Sequence, residues 1–316
     1  MNVKEFPVDL VYLWVNGNDP EWQHHRNQLL DPSALKPSMD CEGRYADNNE
    51  LKFSLRSVEM YAPWIRKIFI VTDHQVPEWL NTENPKIQIV DHTEILPSAA
   101  LPTFNSNVIE HALFHIPGLS EHFLYANDDM FINRPVEVDY FFANDGLPII
   151  RLNRRPFRKL ALFFKEKILG KPLSNYNLNI RNSARLVEKK FGKYIGHKTH
   201  HNIDAYLKSD YQHAFEIFKN DIEPTLKNHF RKPDDIQRNL YSYVPLMERR
   251  GHKKFVTQKK SLRLHIDNHR YYKKFEKYNP VLFCTNDSEY AASEDRKLLT
   301  KFLRKRFPEK SQFEKT

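Results

Sequence analysis

The stretch FLYANDDMFI, residues 123–132, places two adjacent acids between apolar segments. Apolar residues come first, Asn127, Asp128 and Asp129 follow, and Met130 begins a second apolar run. Burying a carboxylate costs several kcal/mol unless a cation or hydrogen-bond donors compensate for the lost water. We therefore expect the acids to face a ligand, and carboxylate oxygens at this position are suited to a divalent cation.

The apolar run Phe123–Ala126 is one of four segments with the composition of buried strands. All four are rich in Val, Ile, Leu and aromatic residues and nearly continuous, as in strands covered on both faces. The other three are Val8–Trp14, Ile68–Val71 and Ile87–Val90. Helix-like segments lie between them, such as Glu50–Met60 and Val108–His115. The alternation predicts an α/β fold with a mostly parallel sheet.

Polar residues follow the predicted strands directly. Asn16, Gly17 and Asp19 come after the first strand, and Asp128 and Asp129 come after the fourth. Ligands of open α/β sheets bind beyond the carboxyl ends of the strands, so we expect a ligand crevice here. Because side chains alternate along a strand, the two acids are expected to point to opposite sides.

The net charge of +9 is divided unequally along the 316 residues. Residues 1–150 hold 10 Lys/Arg against 22 Asp/Glu, and residues 151–316 hold 39 against 18. This asymmetry favours a charged partner, which could be nucleic acid, a polyphosphate substrate or an anionic membrane. We expect one catalytic unit: an acidic α/β core over 1–150 and a basic, mainly helical part over 151–316. Predicted helices of the basic part include Ala205–Phe218 and Asp234–Arg249.

Two further clusters contain residues that could carry chemistry. GHKTHHNID holds His197, His200 and His201, any of which could be a general base near neutral pH. Zinc ligation is a weaker alternative because no cysteine or acid spacing supports it, and surface histidines ahead of a helix are the structural alternative. In HFRKPDDIQ, Pro233 followed by two acids resembles a helix start. Arg231 then stands before the helix, suited to grip a phosphate.

The tail EDRKLLTKFLRKRF, residues 294–307, predicts a basic helix with an apolar side. The helix could dock on the core or lie on an anionic membrane. The N-terminal residues lack the pattern of a signal peptide, and no apolar run approaches the roughly 20 residues that span a bilayer. Cys41 and Cys284 form no disulfide framework. A cytoplasmic location is expected, with peripheral contact at the inner face of the membrane as an option.

The motifs together resemble the Stealth family of sugar-1-phosphate transferases. That family includes bacterial capsular polysaccharide phosphotransferases and the animal lysosomal-enzyme N-acetylglucosamine-1-phosphotransferase. Four regions of resemblance occur in order: VDLVYLWVNGNDPEW (8–22), RYADNNELKFSLRSVEMYAPWIRKIFIVTDHQVPEWL (44–80) continuing through LPTFNSNVIE (101–110) to FLYANDDMF, HHNIDAYL to DDIQRNLYSY (200–243), and FCTNDSE (283–289).

The resemblance implies a glycosyltransferase-A-like α/β core and a bacterial role in capsule or surface polysaccharide synthesis. It implies transfer of an intact sugar 1-phosphate from a nucleotide diphosphate sugar to a glycan hydroxyl. UDP-hexose or UDP-N-acetylhexosamine is the favoured donor, UMP would be released, and the product would be a phosphodiester. A divalent cation, Mg²⁺ or Mn²⁺, is the implied cofactor. The implied acceptor is a glycan, which could be linked to a membrane lipid. No nucleic-acid partner is expected.

The resemblance also directs the choice of site residues. The candidate catalytic residues are Asp128, Asp129, His197, His200, His201 and Arg231. The candidate substrate-binding residues are Asn16, Gly17, Asp19, Arg44, Arg56, Asn105, Ser106, Glu110 and Asn286. The candidate metal ligands are Asp128, Asp129 and Asp287.

Two other functions stay open. The first is an ordinary nucleotide-sugar glycosyltransferase, which would have the same crevice but would release UDP. The second is a basic protein that binds nucleic acid or glycan without turnover, for which steeply salt-dependent DNA binding would be the sign.

Overall fold

The computed structural model describes residues 6–30, 45–288 and 290–316. The strands are β1 (Val8–Leu13), β2 (Ile68–Thr72), β3 (Ile87–Asp91), β4 (His122–Asn127), β5 (Met130–Ile132), β6 (Ile149–Asn153), β7 (Lys198–Thr199), β8 (Asp204–Leu207), β9 (His252–Val256), β10 (Ser261–His265) and β11 (Leu282–Asn286). The helices are α1 (Pro20–Leu29), α2 (Glu50–Tyr61), α3 (His92–Ile95), α4 (Ser106–Glu110), α5 (Arg158–Phe163), α6 (Asn175–Phe191), α7 (Lys208–Ile217), α8 (Lys219–Leu226), α9 (Asn239–Met247), α10 (Arg270–Tyr278) and α11 (Ser293–Arg306). A π-helical turn, Phe164–Ile168, continues α5 directly.

The central sheet has five strands in the order β3-β2-β1-β4-β8. The first four are parallel neighbours, and β8 runs antiparallel to β4. These four are the four predicted strands, so the prediction of an α/β fold with a mostly parallel sheet is confirmed. On one face of β1, Leu10 belongs to the same buried cluster as Leu51 and Leu55 of α2, and on the other face Val11 belongs to the cluster that includes Tyr211 of α7. Coverage on both faces explains why these strands are continuously apolar.

The second half of the chain contains more strand than the sequence indicated. A sheet of order β10-β11-β5 and another of order β7-β6-β9 flank the central sheet. The description of this half as mainly helical was therefore incomplete. In the first of these sheets, Leu262 and Leu264 pack against Leu299, Leu303 and Phe307. The C-terminal helix α11 thus docks on the core through its apolar side.

Three predicted helices differ from the structure in extent. Residues 205–207 belong to strand β8 and pair with β4, so that helix begins only with α7. Residues 108–115 divide into the end of α4 and a separate 3₁₀ turn. Helix α9 begins at Asn239, after Asp234 and Asp235. The Asp235 carboxylate is buried and accepts hydrogen bonds from Asn105, Asn107 and Asn228, so it does not cap a helix.

The two adjacent acids form the turn between β4 and β5. These strands are consecutive in the chain but lie in different sheets, because β5 pairs with β11. The turn therefore carries the chain out of the central sheet. Both acids line the same cavity. Because they lie in a turn and not in a strand, strand alternation does not apply to them, and the prediction that they point to opposite sides stays a prediction. Within the described residues we find no helix with the length and apolarity that a membrane span requires.

Candidate active site

A cavity of about 550 Å³ opens beside the β4–β5 turn. Both halves of the chain line it. Among the described residues, four of its five carboxylates come from residues up to 129, and all four of its Lys and Arg side chains come from residues 198 onward. Its charged lining residues, together with the one histidine, are Glu50, Glu110, Asp128, Asp129, Lys198, His201, Arg231, Arg238, Arg263 and Asp287. The volume is within the range of small-molecule sites, about 300–1,000 Å³.

Asp128 and Asp129 place two carboxyl groups side by side in the wall of this cavity, near Glu50. Burial raises the pKa of Asp128 well above its usual range, and the Asp129 and Glu50 carboxylates raise it further. Burial also raises the pKa of Asp129, although Arg263 opposes the shift. Asp129 Oδ1 is buried and has no hydrogen-bond partner in the described part of the chain, while the Asp129 carbonyl accepts from the Thr285 amide at 2.9 Å. Mg²⁺ and similar hard divalent cations bind oxygen ligands. Neighbouring carboxylates without hydrogen-bond partners suit such a cation, because its charge relieves their mutual repulsion.

Asp287 differs from the pair, although it lines the same cavity. Its Oδ2 accepts from Arg296 Nε at 2.8 Å, and its Oδ1 accepts from the Ser288 amide at 2.6 Å. These contacts hold the carboxylate in place at the cavity, and the assignment of Asp287 as a metal ligand stays a prediction. Over residues 6–30, 45–288 and 290–316, no group of three or more His, Cys, Asp or Glu is placed to hold a metal.

Among the described residues, four cationic side chains line the cavity. Arg231 donates to Ser106 Oγ, and Arg263 Nε donates to Asn286 Oδ1 at 3.0 Å. Burial and the neighbouring arginines lower the pKa of Lys198 to about 8. Cations that repel one another in a cavity favour the binding of an anion carrying more than one charge.

Arg238 is buried and held by acids. Its Nη1 lies 2.5 Å from Asp204 Oδ2, and its Nε lies 3.5 Å from Glu110 Oε1. Burial raises the pKa of Glu110, and Arg238 and Arg231 oppose that shift. Glu110 also accepts from the Tyr125 hydroxyl at 2.9 Å, and its Oε2 has no partner among the described residues.

His201 is the histidine of the GHKTHHNID cluster that lines the cavity. Burial and the charges of Arg263 and Arg238 hold its pKa well below the usual range. The imidazole is therefore neutral near pH 7 and has a lone pair that can accept a proton. An anionic ligand between His201 and these arginines would raise that pKa and make the imidazole a stronger base.

The other two candidate histidines do not line the cavity. His200 is buried in an internal network, with Nε2 3.1 Å from Asp204 Oδ1 and Nδ1 2.8 Å from Ser261 Oγ. His197 Nδ1 accepts from the Arg155 amide at 2.8 Å. Both therefore have contacts that maintain local structure.

A second, aromatic cavity of about 170 Å³ adjoins the first. Ser106, Asn127, Asp128 and Arg231 line both cavities and mark their junction. Aromatic rings form much of the smaller cavity, with the Trp22 centroid 5.2 Å from that of Tyr45 and 5.3 Å from that of Phe104. The aromatic lining residues are Trp14, Trp22, Tyr45, His92 and Phe104.

The candidates after β1 position these rings and do not themselves line either cavity. Gly17 touches Tyr45: its amide donates to the Tyr45 carbonyl at 2.9 Å, and a Cβ here would lie 2.3 Å from Tyr45 Cβ. Asp19 caps α1 and accepts from the Trp22 amide at 3.0 Å. The Asn16 side chain accepts from the Asn18 amide.

The remaining candidates divide into two groups. Ser106, Glu110 and Asn286 line the larger cavity. Arg56 and Asn105 lie elsewhere. Arg56 makes a two-pronged ion pair with Glu314, 2.7 Å for each bond. Asn105 is the buried cap of α4 and donates to Asp235. Arg44 lies outside the described residues.

Sequence reasoning missed three cations of the cavity: Lys198, Arg238 and Arg263. For Arg263 a signal existed, because SLRLH places one charge between two buried leucines on a strand, and buried charges require a reason. Arg238 was within a quoted region of resemblance but was not singled out. Lys198 gave no local signal.

Two conserved regions of a known family match the chain. The model described as Stealth protein CR2, conserved region 2, matches residues 44–150. The model described as Stealth protein CR1, conserved region 1, matches residues 6–31. These ranges contain Gly17, Glu110 and the acid pair, but not Arg231 or His201.

Curated relatives are phosphotransferases by name. The capsular polysaccharide phosphotransferase fcs1 of Haemophilus influenzae is 38% identical over 244 residues, which are 76% of this chain and 64% of that protein. The exopolysaccharide phosphotransferase CpsY of Mycobacterium tuberculosis is 35% identical over 330 residues, 98% of this chain and 58% of that protein. The chain thus spans less than two thirds of the length of these relatives.

Solved structures show a distant likeness to glycosyltransferases. The glycosyltransferase GlyE of Streptococcus pneumoniae has a TM-score of 0.43 and 10% identity, with 95% of this chain and 60% of that chain covered. The fold assignment above rests on the strand order and not on this likeness.

Proposed function

The chain belongs to the Stealth family, and from that premise we propose that it transfers a sugar 1-phosphate from a nucleotide diphosphate sugar to a glycan hydroxyl. The favoured donors are UDP-hexose and UDP-N-acetylhexosamine. The observation that carries the proposal is one cavity in which an acid pair, a neutral histidine and several cations meet. This is the set of groups that phosphoryl transfer requires, because its catalysis consists mainly of positioning and charge stabilisation.

We propose that the two adjoining cavities divide the donor between them. The aromatic cavity suits a nucleobase, since π faces stack on bases and the smaller volume fits a single ring system. The diphosphate would lie at the junction, where Arg231 and Ser106 line both cavities. The sugar and the acceptor would occupy the larger cavity.

In the proposed reaction the acceptor oxygen attacks the sugar-linked phosphorus. A new P–O bond forms, the bond from that phosphorus to the bridging oxygen breaks, and UMP leaves with the bridging oxygen. His201 takes the proton of the attacking hydroxyl, which is within the ability of a neutral imidazole. Arg231 and Arg263 stabilise the charge that develops on the phosphate oxygens.

We propose that Asp128 and Asp129 hold the divalent cation, Mg²⁺ or Mn²⁺. The unpartnered Asp129 oxygen and the raised pKa values of the pair support this fit. Mg²⁺ typically uses one or two carboxylates together with substrate phosphates, so two acids suffice. When bound, the cation would supply positive charge to the leaving phosphate.

The product would be a phosphodiester in a capsule or related surface polysaccharide, as the names of the relatives suggest. We further propose that the acceptor is linked to a membrane lipid and that the enzyme acts in the cytoplasm at the inner face of the membrane. A bacterial source fits the relatives.

The released nucleotide tests the proposal. UDP-, GDP- and CMP-activated sugars are incubated with Mg²⁺ or Mn²⁺ and a short capsule-type acceptor, and products are followed by mass spectrometry and phosphorus NMR. UMP with a new phosphodiester signal is the expected result. UDP without a phosphodiester would mean glycosyl transfer and would overturn the proposed chemistry.

Histidine variants test the assigned base. His201→Gln is expected to slow the reaction by about 10²–10⁴-fold, the usual contribution of a general base. His197→Gln is the matched control, because this histidine lies outside the cavity and should leave the rate nearly unchanged. Equal losses in both variants, or a loss only in the control, would contradict the role of His201.

A further inference from the structure

The segment of residues 157–169 exposes a run of large apolar side chains. It comprises α5, the π-helical turn and one flanking residue at each end. Six of the eleven exposed large apolar side chains in the described part of the chain fall within it, each 51–73% exposed. They are Phe157, Leu160, Phe163, Phe164, Ile168 and Leu169. Soluble proteins rarely expose a contiguous apolar patch of this kind without a partner.

The spacing of these side chains places most of them on one side of the helix. Leu160, Phe163, Phe164 and Ile168 follow the i, i+3, i+4, i+8 pattern of an apolar helical face. None of these four side chains belongs to the hydrophobic clusters that the described residues form. We call this face the 157–169 surface.

The 157–169 surface is attached to the protein on its other side through polar contacts. Arg158 is buried and donates to Asn177 Oδ1 at 3.3 Å. Glu166 accepts from Arg181 at 2.7 Å. Both partners belong to α6, and Asn177 also lines the larger cavity. The helix is therefore held in place while its apolar side faces solvent.

Positive charge surrounds the apolar side. Residues 154–171 contain seven Lys/Arg and a single acid, Glu166, which the ion pair to Arg181 occupies. The exposed basic residues are Arg154, Arg155, Lys159, Lys165, Lys167 and Lys171. A second copy of the chain seated on this surface would bring two such basic rims together, which like-charge repulsion opposes. An anionic partner is favoured instead.

We propose that the 157–169 surface binds the face of an anionic lipid bilayer. Exposed Phe and Leu can enter the boundary between headgroups and acyl chains, and a basic rim adds attraction to anionic headgroups. The C-terminal helix α11 does not offer this combination, because Leu299 and Leu303 on its apolar side are buried in the core. Membrane contact is therefore assigned to α5 and the turn that follows it.

Such binding would hold the larger cavity close to the lipid surface. The contact between Arg158 and Asn177 joins the surface to the cavity lining. A lipid-linked acceptor would then reach the cavity without leaving the bilayer. This consequence rests on the proposed function, but binding to the bilayer does not.

Vesicle co-sedimentation of the full chain tests the proposal. We expect binding to vesicles of phosphatidylcholine with phosphatidylglycerol, and much weaker binding to phosphatidylcholine alone. Phe163→Ser combined with Phe164→Ser, and separately Lys165→Glu combined with Lys167→Glu, should each weaken binding about tenfold or more. Val76→Ser is the control, since this apolar side chain is exposed outside the 157–169 surface and its loss should change nothing.

A charge control on α11 separates this surface from general basicity. Lys301→Glu combined with Lys305→Glu changes two exposed charges and should leave binding near that of the wild type. A larger loss in this variant than in the Lys165/Lys167 pair would overturn the assignment. So would absence of binding to anionic vesicles, or a dimer in light scattering that the Phe163/Phe164 pair of substitutions dissociates. Because the readout is binding, the outcome is independent of whether UMP is released.

Discussion

Replacing Gly17 by alanine should disturb the aromatic cavity through one close contact. A Cβ at this position would lie 2.3 Å from both Tyr45 Cβ and the Tyr45 carbonyl oxygen. Neither atom can move away by a change of rotamer, so the backbone of Tyr45 must retreat by about 1 Å to restore ordinary contact. The Tyr45 ring, 5.2 Å from Trp22 and 4.9 Å from the Arg26 guanidinium, would shift with it.

The expected size of the effect follows from this geometry. Overpacking of this kind costs about 1–3 kcal/mol, part of which is the loss of the Gly17–Tyr45 hydrogen bond. We expect Gly17→Ala to lower the free energy of unfolding in urea by that amount. We also expect it to weaken binding of UDP about tenfold, a change of about 1.4 kcal/mol. The intrinsic fluorescence of Trp14 and Trp22, which line the cavity, reports binding directly.

Gly196→Ala is the matched control for this substitution. A Cβ there would meet its nearest neighbour, the Arg155 carbonyl, at 3.4 Å, which is an ordinary contact. This variant should unfold like the wild type and bind UDP equally well. If Gly17→Ala behaved in the same way, Tyr45 would not be held as the structure indicates, and the reasoning would fail. If Gly17→Ala lost stability but not UDP affinity, the contact between Gly17 and Tyr45 would be supported. Tyr45 would then not belong to the proposed nucleotide site.

Three further changes have expected outcomes. Asp204→Asn removes the closer of the two carboxylates that hold buried Arg238, and it should lower the free energy of unfolding in urea by roughly 3–5 kcal/mol. A loss below about 1 kcal/mol would mean that this ion pair does not stabilise the fold. Burial raises the pKa of Glu50 to about 7, so the folded state binds more protons and stability should fall as pH rises from about 4.5 to 7. In the presence of a chelator, Glu50→Gln should flatten this fall, and an unchanged pH profile would refute the assignment. Arg263→Gln should reduce the affinity for UDP more than for uridine in calorimetry, because only the diphosphate needs its charge, whereas equal losses would place Arg263 away from the phosphates.

The central sheet could be predicted because each of its parallel strands is recognisable from its own short stretch of sequence. Each of the four parallel strands is a short apolar run with polar residues at its carboxyl end, and burial on both faces produces that pattern wherever it occurs. Asp128 was found for the same reason, since it directly follows a strand at the rim of the sheet, whereas Ser106 was chosen through the family resemblance. The position of the cavity thus follows from the pattern of the first half.

The rest depends on partners far along the chain. Arg56 resembles a phosphate-binding residue, but Glu314 holds it, and no local pattern indicates such a pairing. Asp235 resembles a helix cap, yet three asparagine side chains bury it. The short strand β5 became visible only through its pairing with β11. Arg263 enters the cavity from the same sheet. The SLRLH pattern marks its charge as unusual, but the cavity that it lines is defined only by the pairing of that sheet.

The β4–β5 turn also determines when the site can exist during synthesis. Strand β5, which follows Asp129, pairs with β11, and in this pairing Ile132 lies opposite Leu282. The Asp129 carbonyl accepts a hydrogen bond from the Thr285 amide, which is synthesised much later. At about 5–20 residues per second, translation delivers these partners roughly 10–30 s after the acids. In that interval we expect the two carboxylates to be hydrated, because the β11 residues that help to bury them have not yet been made. A nascent chain therefore cannot complete the larger cavity, which is finished only when the last strand, β11, has been made.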